Sequence, residues 1–183
     1  MKYMIASDIH GSSFYCEQLM SRFSEEKPDK LILLGDLLYH CPRNALPDLY
    51  DTEKVLGFLN SIADRILCVR GNCDSEVDQV VLQFPMMSDY AIVSLEDRSI
   101  FVTHGHVFNE SHLPPMNFGD ILLHGHTHIA GCVKHETYTY MNPGSVSIPK
   151  GDTPHSYMTL ENGVFLWKEL DGTVYRRVEI KDL

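Results

Sequence analysis

Basic residues are few in this chain. Its 183 residues include 15 Lys and Arg against 25 Asp and Glu, which gives a formal net charge of −10. Broad nucleic-acid-binding faces need clusters of Lys and Arg to neutralise many phosphates. The acidic balance therefore argues against a nucleic-acid partner. If the chain handles phosphate, metal ions rather than a basic patch must neutralise it.

Long apolar runs are also absent. Charged or turn residues interrupt every apolar stretch well before the about 18 residues that a membrane-spanning helix needs. Residues 1–11, MKYMIASDIHG, have too short an apolar segment for a secretory signal and reach Asp and His at once. We therefore expect a cytoplasmic protein with no membrane contact.

Paired cysteine motifs are missing as well. The five cysteines are an odd number and contain no CxxC pair. Scattered cysteines of this kind fit reduced thiols in the cytosol better than a disulfide framework. We therefore expect free thiols.

The first part of the chain alternates apolar strands with amphipathic helices. The predicted strands are 3–7, 30–34 and 65–69, and the predicted helices are 12–26 and 52–63. Thr52 is the predicted N-cap of the second helix. Strands and helices that alternate over short connections predict a parallel sheet.

From about residue 90 the chain becomes mostly β. Short segments rich in Val, Tyr and Phe are separated by Gly, Asp or Asn turns, and two of these turns have the pattern of hairpins. The predicted strands are 90–95, 99–104, 120–124, 130–134, 137–141, 156–160, 163–168 and 173–180. A second sheet packed on the first would bury them. No linker-like tract divides the chain, so we expect one domain, residues 1–183.

Polar signatures follow the predicted strands. The first three strands end in SDIHG (7–11), GDLL (35–38) and GNCD (71–74), and later strands end in THGH (103–106) and HGHTH (124–128). The carboxyl ends of parallel strands open onto one crevice. We therefore expect two Asp, one Asn and four His to converge there. They are Asp8, His10, Asp36, Asn72, His104, His126 and His128.

This mixed set of oxygen and nitrogen donors is typical of Mn²⁺, Fe or Zn²⁺ and too rich in nitrogen for Ca²⁺ or Mg²⁺ alone. Each motif by itself is often only a turn or a chance pair, but all five occur together, each after a predicted strand. Seven ligands exceed the needs of one ion. They suit two ions about 3.5–4 Å apart that share a carboxylate, the arrangement used for in-line displacement at phosphorus.

In this order the motifs resemble those of the calcineurin-like metallophosphoesterase superfamily, here SDIHG, LGDLL, RGNCDSE, THGH and HGHTH. Residues 71–78, 103–106 and 142–150 resemble its branch of small bacterial single-domain phosphodiesterases of the YfcE type. The resemblance spans nearly the whole chain. It implies an α/β fold, a four-layer α/β/β/α sandwich of two mixed β-sheets flanked by helices.

The resemblance also divides the seven residues between two divalent metal ions, with Mn²⁺ expected and Zn²⁺ or Fe as alternatives. It implies that one ion is bound by Asp8, His10, Asp36 and His128. It implies that the other is bound by Asp36, Asn72, His104 and His126. Asp36 would bridge the two ions.

Cys73 stands where much of the superfamily has a His that is thought to donate a proton or to contact phosphate. A thiol, with a pKa of about 8.5, is a weaker donor and cannot carry positive charge toward phosphate. General acid help is worth about 10²–10⁴-fold, so we expect a preference for good, aryl-type leaving groups. A nucleophilic role for Cys73 is disfavoured, because the acids in CDSEVDQ would raise its pKa.

Four further residues near the motifs have predicted roles. Asp74 is expected to orient Asn72 or to cap the following helix rather than to bind metal. Arg43 is the cation placed to reach a phosphate group outside the metals, with an ordinary surface arginine as the alternative. For His106 and His124 we expect packing or hydrogen bonding rather than a direct role.

The sequence therefore predicts a metal-dependent phosphoric diester hydrolase acting on a small phosphodiester. The hypothesis is that a hydroxide between the two metals attacks phosphorus in line with the leaving group. The alternative is a non-catalytic protein-interaction scaffold of the same fold, and an enzyme acting on nucleic acid is disfavoured. The sequence is compatible with a homo-oligomer, and it leaves the physiological substrate open.

Overall fold

The apolar runs of the first half form short strands, and the amphipathic segments between them form helices. The computed structural model describes residues 1–95 and 97–183. The elements of this half are β1 (Tyr3–Ala6), α1 (Ser13–Glu26), β2 (Lys30–Leu33), α2 (Thr52–Asn60), β3 (Ile66–Cys68) and α3 (Glu76–Val81). The predicted elements are present, although the second helix ends at Asn60, before its predicted end.

The remaining strands belong to the β-rich part of the chain, as predicted. They are β4 (Tyr90–Ser94), β5 (Ser99–Thr103), β6 (Asp120–Leu123), β7 (Gly131–Lys134), β8 (Tyr138–Asn142), β9 (Ser156–Glu161), β10 (Val164–Glu169) and β11 (Val174–Glu179). Their bounds agree closely with the predicted ones.

The strands form two mixed sheets. The first has the order β11-β10-β9-β1-β2-β3, and the second has the order β4-β5-β6-β8-β7. In the first sheet β1, β2 and β3 run parallel, with Tyr3 opposite Lys30, while β9 joins the other side of β1 antiparallel. The prediction of an α/β sandwich of two mixed sheets flanked by helices is confirmed.

Successive side chains along a strand point to opposite faces of its sheet, and this alternation produces the layers of the fold. In β1, Met4 and Ala6 pack against the helices, whereas Ile5 packs between the two sheets. Strands buried on both faces read as continuous apolar runs. The core between the sheets also contains Trp167, whose indole N–H donates to the carbonyl of Asn142 at 2.8 Å.

Both long helices begin at a side-chain cap. The Ser12 hydroxyl accepts the backbone N–H of Tyr15 at the start of α1. At the start of α2 the carboxylate of Asp51 accepts the backbone N–H of Lys54 at 3.1 Å, so the predicted cap, Thr52, is wrong by one residue. Asp and Thr are both good caps, and here the acceptor is the Asp.

The parallel strands β1, β2 and β3 bring the loops after residues 6, 33 and 68 to one end of the first sheet. The loops after β5 and β6 reach the same end from the second sheet. The backbone N–H of Gly125 joins these two loops by donating to the carbonyl of His104, and the backbone N–H of His126 donates to the carboxylate of Asp8 in the first sheet's loop. Among residues 1–95 and 97–183, no helix is both long and apolar enough to cross a membrane.

Candidate metal centre

One half of the site is a cluster of one carboxylate and two imidazoles. Asp8 Oδ1 lies 3.3 Å from His128 Nε2 and 3.6 Å from His10 Nε2. The two Nε2 atoms lie 3.3 Å from each other. All three side chains are buried. Each presents a ligand atom to the same small volume, which could hold a metal ion.

The other half surrounds Asp36. Its Oδ2 lies 3.4 Å from His104 Nε2 and 3.7 Å from His10 Nε2, so this carboxylate faces both halves. His104 Nε2 lies 3.1 Å from Asn72 Oδ1 and 3.2 Å from His126 Nδ1. The structure therefore brings together all seven side chains that the strand-end motifs predicted.

The backbone of this site is unusual. Five of the seven residues have a positive φ, between 50° and 65°, which L-residues other than Gly, Asn and Asp seldom adopt. They are Asp8, His10, Asp36, His126 and His128. Left-handed backbone at such residues is found where a site fixes the direction of its side chains.

Backbone carbonyls orient three of the four imidazoles. The Nδ1 atoms of His10, His104 and His128 lie 2.8, 2.6 and 2.8 Å from the carbonyls of Tyr39, Leu34 and Ile148. Nδ1 must carry a proton in each of these contacts, so in the neutral ring Nε2 faces the centre with its lone pair. This is the arrangement of metal-binding histidines.

The electrostatics of the centre favour a cation. Asp8 Oδ1 is fully buried and has no hydrogen-bond partner within the part of the chain that the structure describes. Burial disfavours the charged form of His104, but Asp36 and Asp8 outweigh it and raise its pKa to about 9. Imidazole nitrogens that face each other across 3.2–3.3 Å need a proton or a metal ion between them. The residues present therefore fit divalent metal ions with mixed nitrogen and oxygen ligands.

Asp74 supports the centre from behind. Its Oδ2 accepts the backbone N–H groups of Asp36 and Gly71 at 2.8 and 2.7 Å, and its Oδ1 accepts that of Leu37 at 2.9 Å. It holds together the two loops that carry Asp36 and Asn72. The alternative prediction that Asp74 caps α3 is wrong, because Asp78 accepts the N–H of Ser75 there.

Two glycines allow these loops to approach each other. A Cβ on Gly71 would collide with the carboxylate of Asp36, and one on Gly125 would collide with the side chains of Ser7 and Asp8. The strand-end motifs therefore contain glycine because two loops meet there. On the other side, Ser145 donates to the backbone carbonyl of Asp8 at 2.8 Å, so the segment NPGS (142–145) lies at the site.

Cys73 forms a disulfide with Cys41, at a Cα–Cα distance of 5.9 Å. The expectation of free thiols is therefore wrong for this pair, although Cys16, Cys68 and Cys132 are free. As half of a disulfide, Cys73 has no S–H proton, so its predicted role as proton donor is wrong for this form of the protein. The loop after β2 carries Cys41 to the GNCD turn, and a pairing across 32 residues has no local signal in the sequence.

A cavity of about 220 Å³ opens onto the centre. Its wall includes Asp36, Asn72, His126 and His128, together with the disulfide. Arg43, which was predicted to reach a phosphate group outside the metals, lines the same cavity. Sequence reasoning missed Asn44 and Lys150, which also line it. Asn44 lies in the segment HCPRNALP (40–47) and Lys150 in NPGSVSIPK (142–150). Neither residue has a sequence pattern that indicates a role in the site.

His106 and His124 stand beside the centre. His124 is buried, and its Nε2 lies 3.0 Å from the carboxylate of Glu110. His106 is half-buried, with its ring centroid 5.4 Å from that of His104. Burial and the neighbouring His104 lower the pKa of His106.

Comparisons with known proteins agree with this geometry. Residues 1–163 match the calcineurin-like phosphoesterase superfamily domain. The chain is 48% identical to the phosphodiesterase YfcE of Escherichia coli K12 over 164 residues, which cover 90% of this chain and 89% of that protein. A solved structure of YfcE, described as a phosphoesterase from E. coli, superposes with a TM-score of 0.95 at 45% identity and covers 98% of this chain and 100% of its own.

A more distant structure shares the fold alone. The structure of vacuolar protein sorting 29 from Cryptosporidium parvum superposes with a TM-score of 0.63 at 17% identity, and 97% of each chain is covered. Its similarity extends to the arrangement of the sheets and carries no statement about activity.

Proposed function

Because this chain belongs to the calcineurin-like phosphoesterase superfamily, we propose that it is a metal-dependent phosphodiesterase acting on small phosphodiesters. The observation that carries the proposal is the convergence of seven predicted donor side chains around the carboxylates of Asp8 and Asp36. Asp8 Oδ1 is buried there and has no hydrogen-bond partner among residues 1–95 and 97–183. The similar protein YfcE is named a phosphodiesterase, which supports the same substrate class.

In this proposal one divalent ion is held by Asp8, His10, Asp36 and His128. The second is held by Asp36, Asn72, His104 and His126. Asp36 Oδ2 lies 3.7 Å from His10 Nε2 and 3.4 Å from His104 Nε2, and this position between the two halves supports its role as the shared ligand. Mn²⁺ is the expected ion, with Zn²⁺ or Fe as alternatives for the same donors.

Bound ions of this kind lower the pKa of water and neutralise charge on the phosphate oxygens. The chain's own residues supply the rest. The backbone N–H of Cys73 donates to Asp36 Oδ1 at 2.8 Å and fixes the carboxylate. Arg43 lines the cavity, where its positive charge would attract the anionic substrate.

A proton donor usually assists the departure of the leaving group. Cys73 is bonded to Cys41 and offers no S–H proton, and the Asp74 carboxylate is used by three backbone N–H groups. We therefore propose that aryl esters, whose leaving groups depart without a proton, are hydrolysed faster than alkyl esters.

The test is a panel of aryl and alkyl phosphodiesters and monoesters, assayed with Mn²⁺ and after removal of metal by a chelator. The proposal predicts hydrolysis of diesters that is lost on chelation, and rates that rise as the leaving-group pKa falls. Activity that survives chelation would overturn the metal assignment. Metal binding without hydrolysis of any ester would favour the scaffold alternative.

A further inference from the structure

Two cationic side chains meet at the mouth of the cavity. Arg43 and Lys150 both line it, and Asp36 is the one carboxylate among the described residues of its wall. This is unexpected for a chain with a net charge of −10. Both side chains are exposed, so they present charge to a molecule that enters the cavity.

Each cation is carried by a segment tied to the metal centre. The segment with Arg43 is attached to the centre by the disulfide between Cys41 and Cys73 and by the carbonyl of Tyr39, which lies 2.8 Å from His10 Nδ1. On the opposite wall, the backbone N–H of Lys150 donates to the carbonyl of His128 at 2.9 Å.

The two walls touch across the opening. Lys150 Nζ lies 3.5 Å from Asn44 Oδ1. Among residues 1–95 and 97–183, neither Arg43 nor Lys150 has a carboxylate within 4.0 Å, whereas Lys2, Arg70 and Lys168 are each paired with an acid. The charges of Arg43 and Lys150 are therefore available to a ligand.

We propose that Arg43 and Lys150 form a subsite for a second anionic group of the substrate, a phosphate or a carboxylate on the alcohol that stays attached to phosphorus. The inference rests on the proposed phosphodiesterase function and adds a substrate class to it. A simple phosphodiester carries one negative charge, which the centre itself accommodates. Two further cations at the mouth match a substrate with an additional charge some distance from the scissile bond.

The chemistry of the two side chains suits this role. Arg presents a planar fork to phosphate or carboxylate, and Lys adds a mobile point charge. Because both are exposed, each contact is worth about 1 kcal/mol, or about fivefold in binding. The pair therefore selects by charge, and the selection should weaken as salt concentration rises.

The experiment uses four p-nitrophenyl phosphodiesters that share one leaving group. Their second alcohols are ethanol, choline, 3-hydroxypropionate and 2-hydroxyethyl phosphate, which are neutral, cationic, carboxylate-bearing and phosphate-bearing. We expect kcat/KM for both anionic esters to exceed that of the ethyl ester, and that of the choline ester to fall below it. A preference for only one anionic ester identifies the group that the subsite binds.

The variants R43M and K150M should each reduce the anionic preference about fivefold, with metal content unchanged. K150E should raise the relative rate of the choline ester. K134M removes an exposed cation at the far end of β7 and serves as the matched control, with wild-type preference expected.

The inference is overturned if the enzyme hydrolyses all four esters with equal kcat/KM, or if R43M and K150M leave the order of preference unchanged. Either result would leave the phosphodiesterase proposal intact. A wild-type protein that hydrolyses none of the four esters would instead overturn the proposed function, so the two failures are distinguishable.

Discussion

The side chain of Asp74 holds the backbone of Asp36 in place, because Asp74 Oδ2 accepts the Asp36 N–H at 2.8 Å. The same carboxylate accepts the N–H of Gly71, beside Asn72. Removing such a supporting acceptor typically costs about 10–100-fold in metal affinity or activity. We therefore predict that Asp74→Ala lowers both by this amount, measured by metal titration and by kcat/KM for an aryl diester.

The matched control for this prediction is Asp97→Asn, which removes an exposed carboxylate paired with Arg98 on the hairpin between β4 and β5. It should leave both quantities unchanged. If Asp74→Ala binds metal with wild-type affinity, Asp74 does not position the site.

The second prediction concerns the proton for the leaving group. Cys73→His places an acid beside Asp36, and we expect it to raise the rate for alkyl esters more than for aryl esters. The slope of rate against leaving-group pKa measures this. The double variant Cys41→Ser/Cys73→Ala also lacks the disulfide but has no thiol at either position, so its slope should match the wild type. Equal slopes for all three proteins would contradict the leaving-group argument.

The disulfide should also stabilise the fold. Cys41 and Cys73 are 32 residues apart, and a cross-link of this span contributes about 3 kcal/mol by restricting the unfolded chain. We predict that Cys41→Ser, or reduction of the wild type, lowers Tm by about 6–12 °C. Calorimetry with and without a dithiol reductant checks this. A reductant that changes Tm of the variant as much as that of the wild type would show that the effect lies elsewhere.

A partly buried ion-pair cluster around Glu26 should affect the stability of the protein in acid. Glu26 accepts hydrogen bonds from Lys2, Lys168 and Tyr157. Burial opposes its charged form, but the contacts with Lys168 and Lys2 prevail and lower its pKa from 4.5 to about 2. A lowered pKa in the folded state stabilises the protein above about pH 4.5, and this contribution is lost as the pH falls toward 2.

Glu26→Gln should therefore be less stable than the wild type at pH 7, and its stability should fall less between pH 4.5 and pH 2. Urea unfolding at several pH values measures both. The control is Glu25→Gln, on the exposed side of α1, for which we expect little change. Parallel pH profiles for Glu26→Gln and the wild type would contradict the assignment.

The parts of this fold that sequence predicts well are those with local causes. The apolar run 3–7 and the signature SDIHG place Asp8 and His10 at a strand end, and topology then brings them to Asp36 and Asn72. The family resemblance, carried by the same motifs, is confirmed by the match of residues 1–163.

Other features depend on contacts distant in sequence. Cys41 pairs with Cys73 because the loop after β2 folds over the site, and spacing alone does not identify such a partner. Lys150 reaches the cavity because its backbone N–H donates a hydrogen bond to the carbonyl of His128. The left-handed backbone of the five site residues likewise reflects the meeting of loops rather than local preference.

In the proposed function, divalent ions held by Asp36 and its neighbours are required for diester hydrolysis. The most direct measurement removes metal with a chelator, adds Mn²⁺ stepwise, and follows bound metal and hydrolysis of an aryl diester together. We predict that activity returns with binding and saturates at about two ions per chain, and that Asp36→Asn loses both. Full hydrolysis by protein that holds no metal would contradict the account.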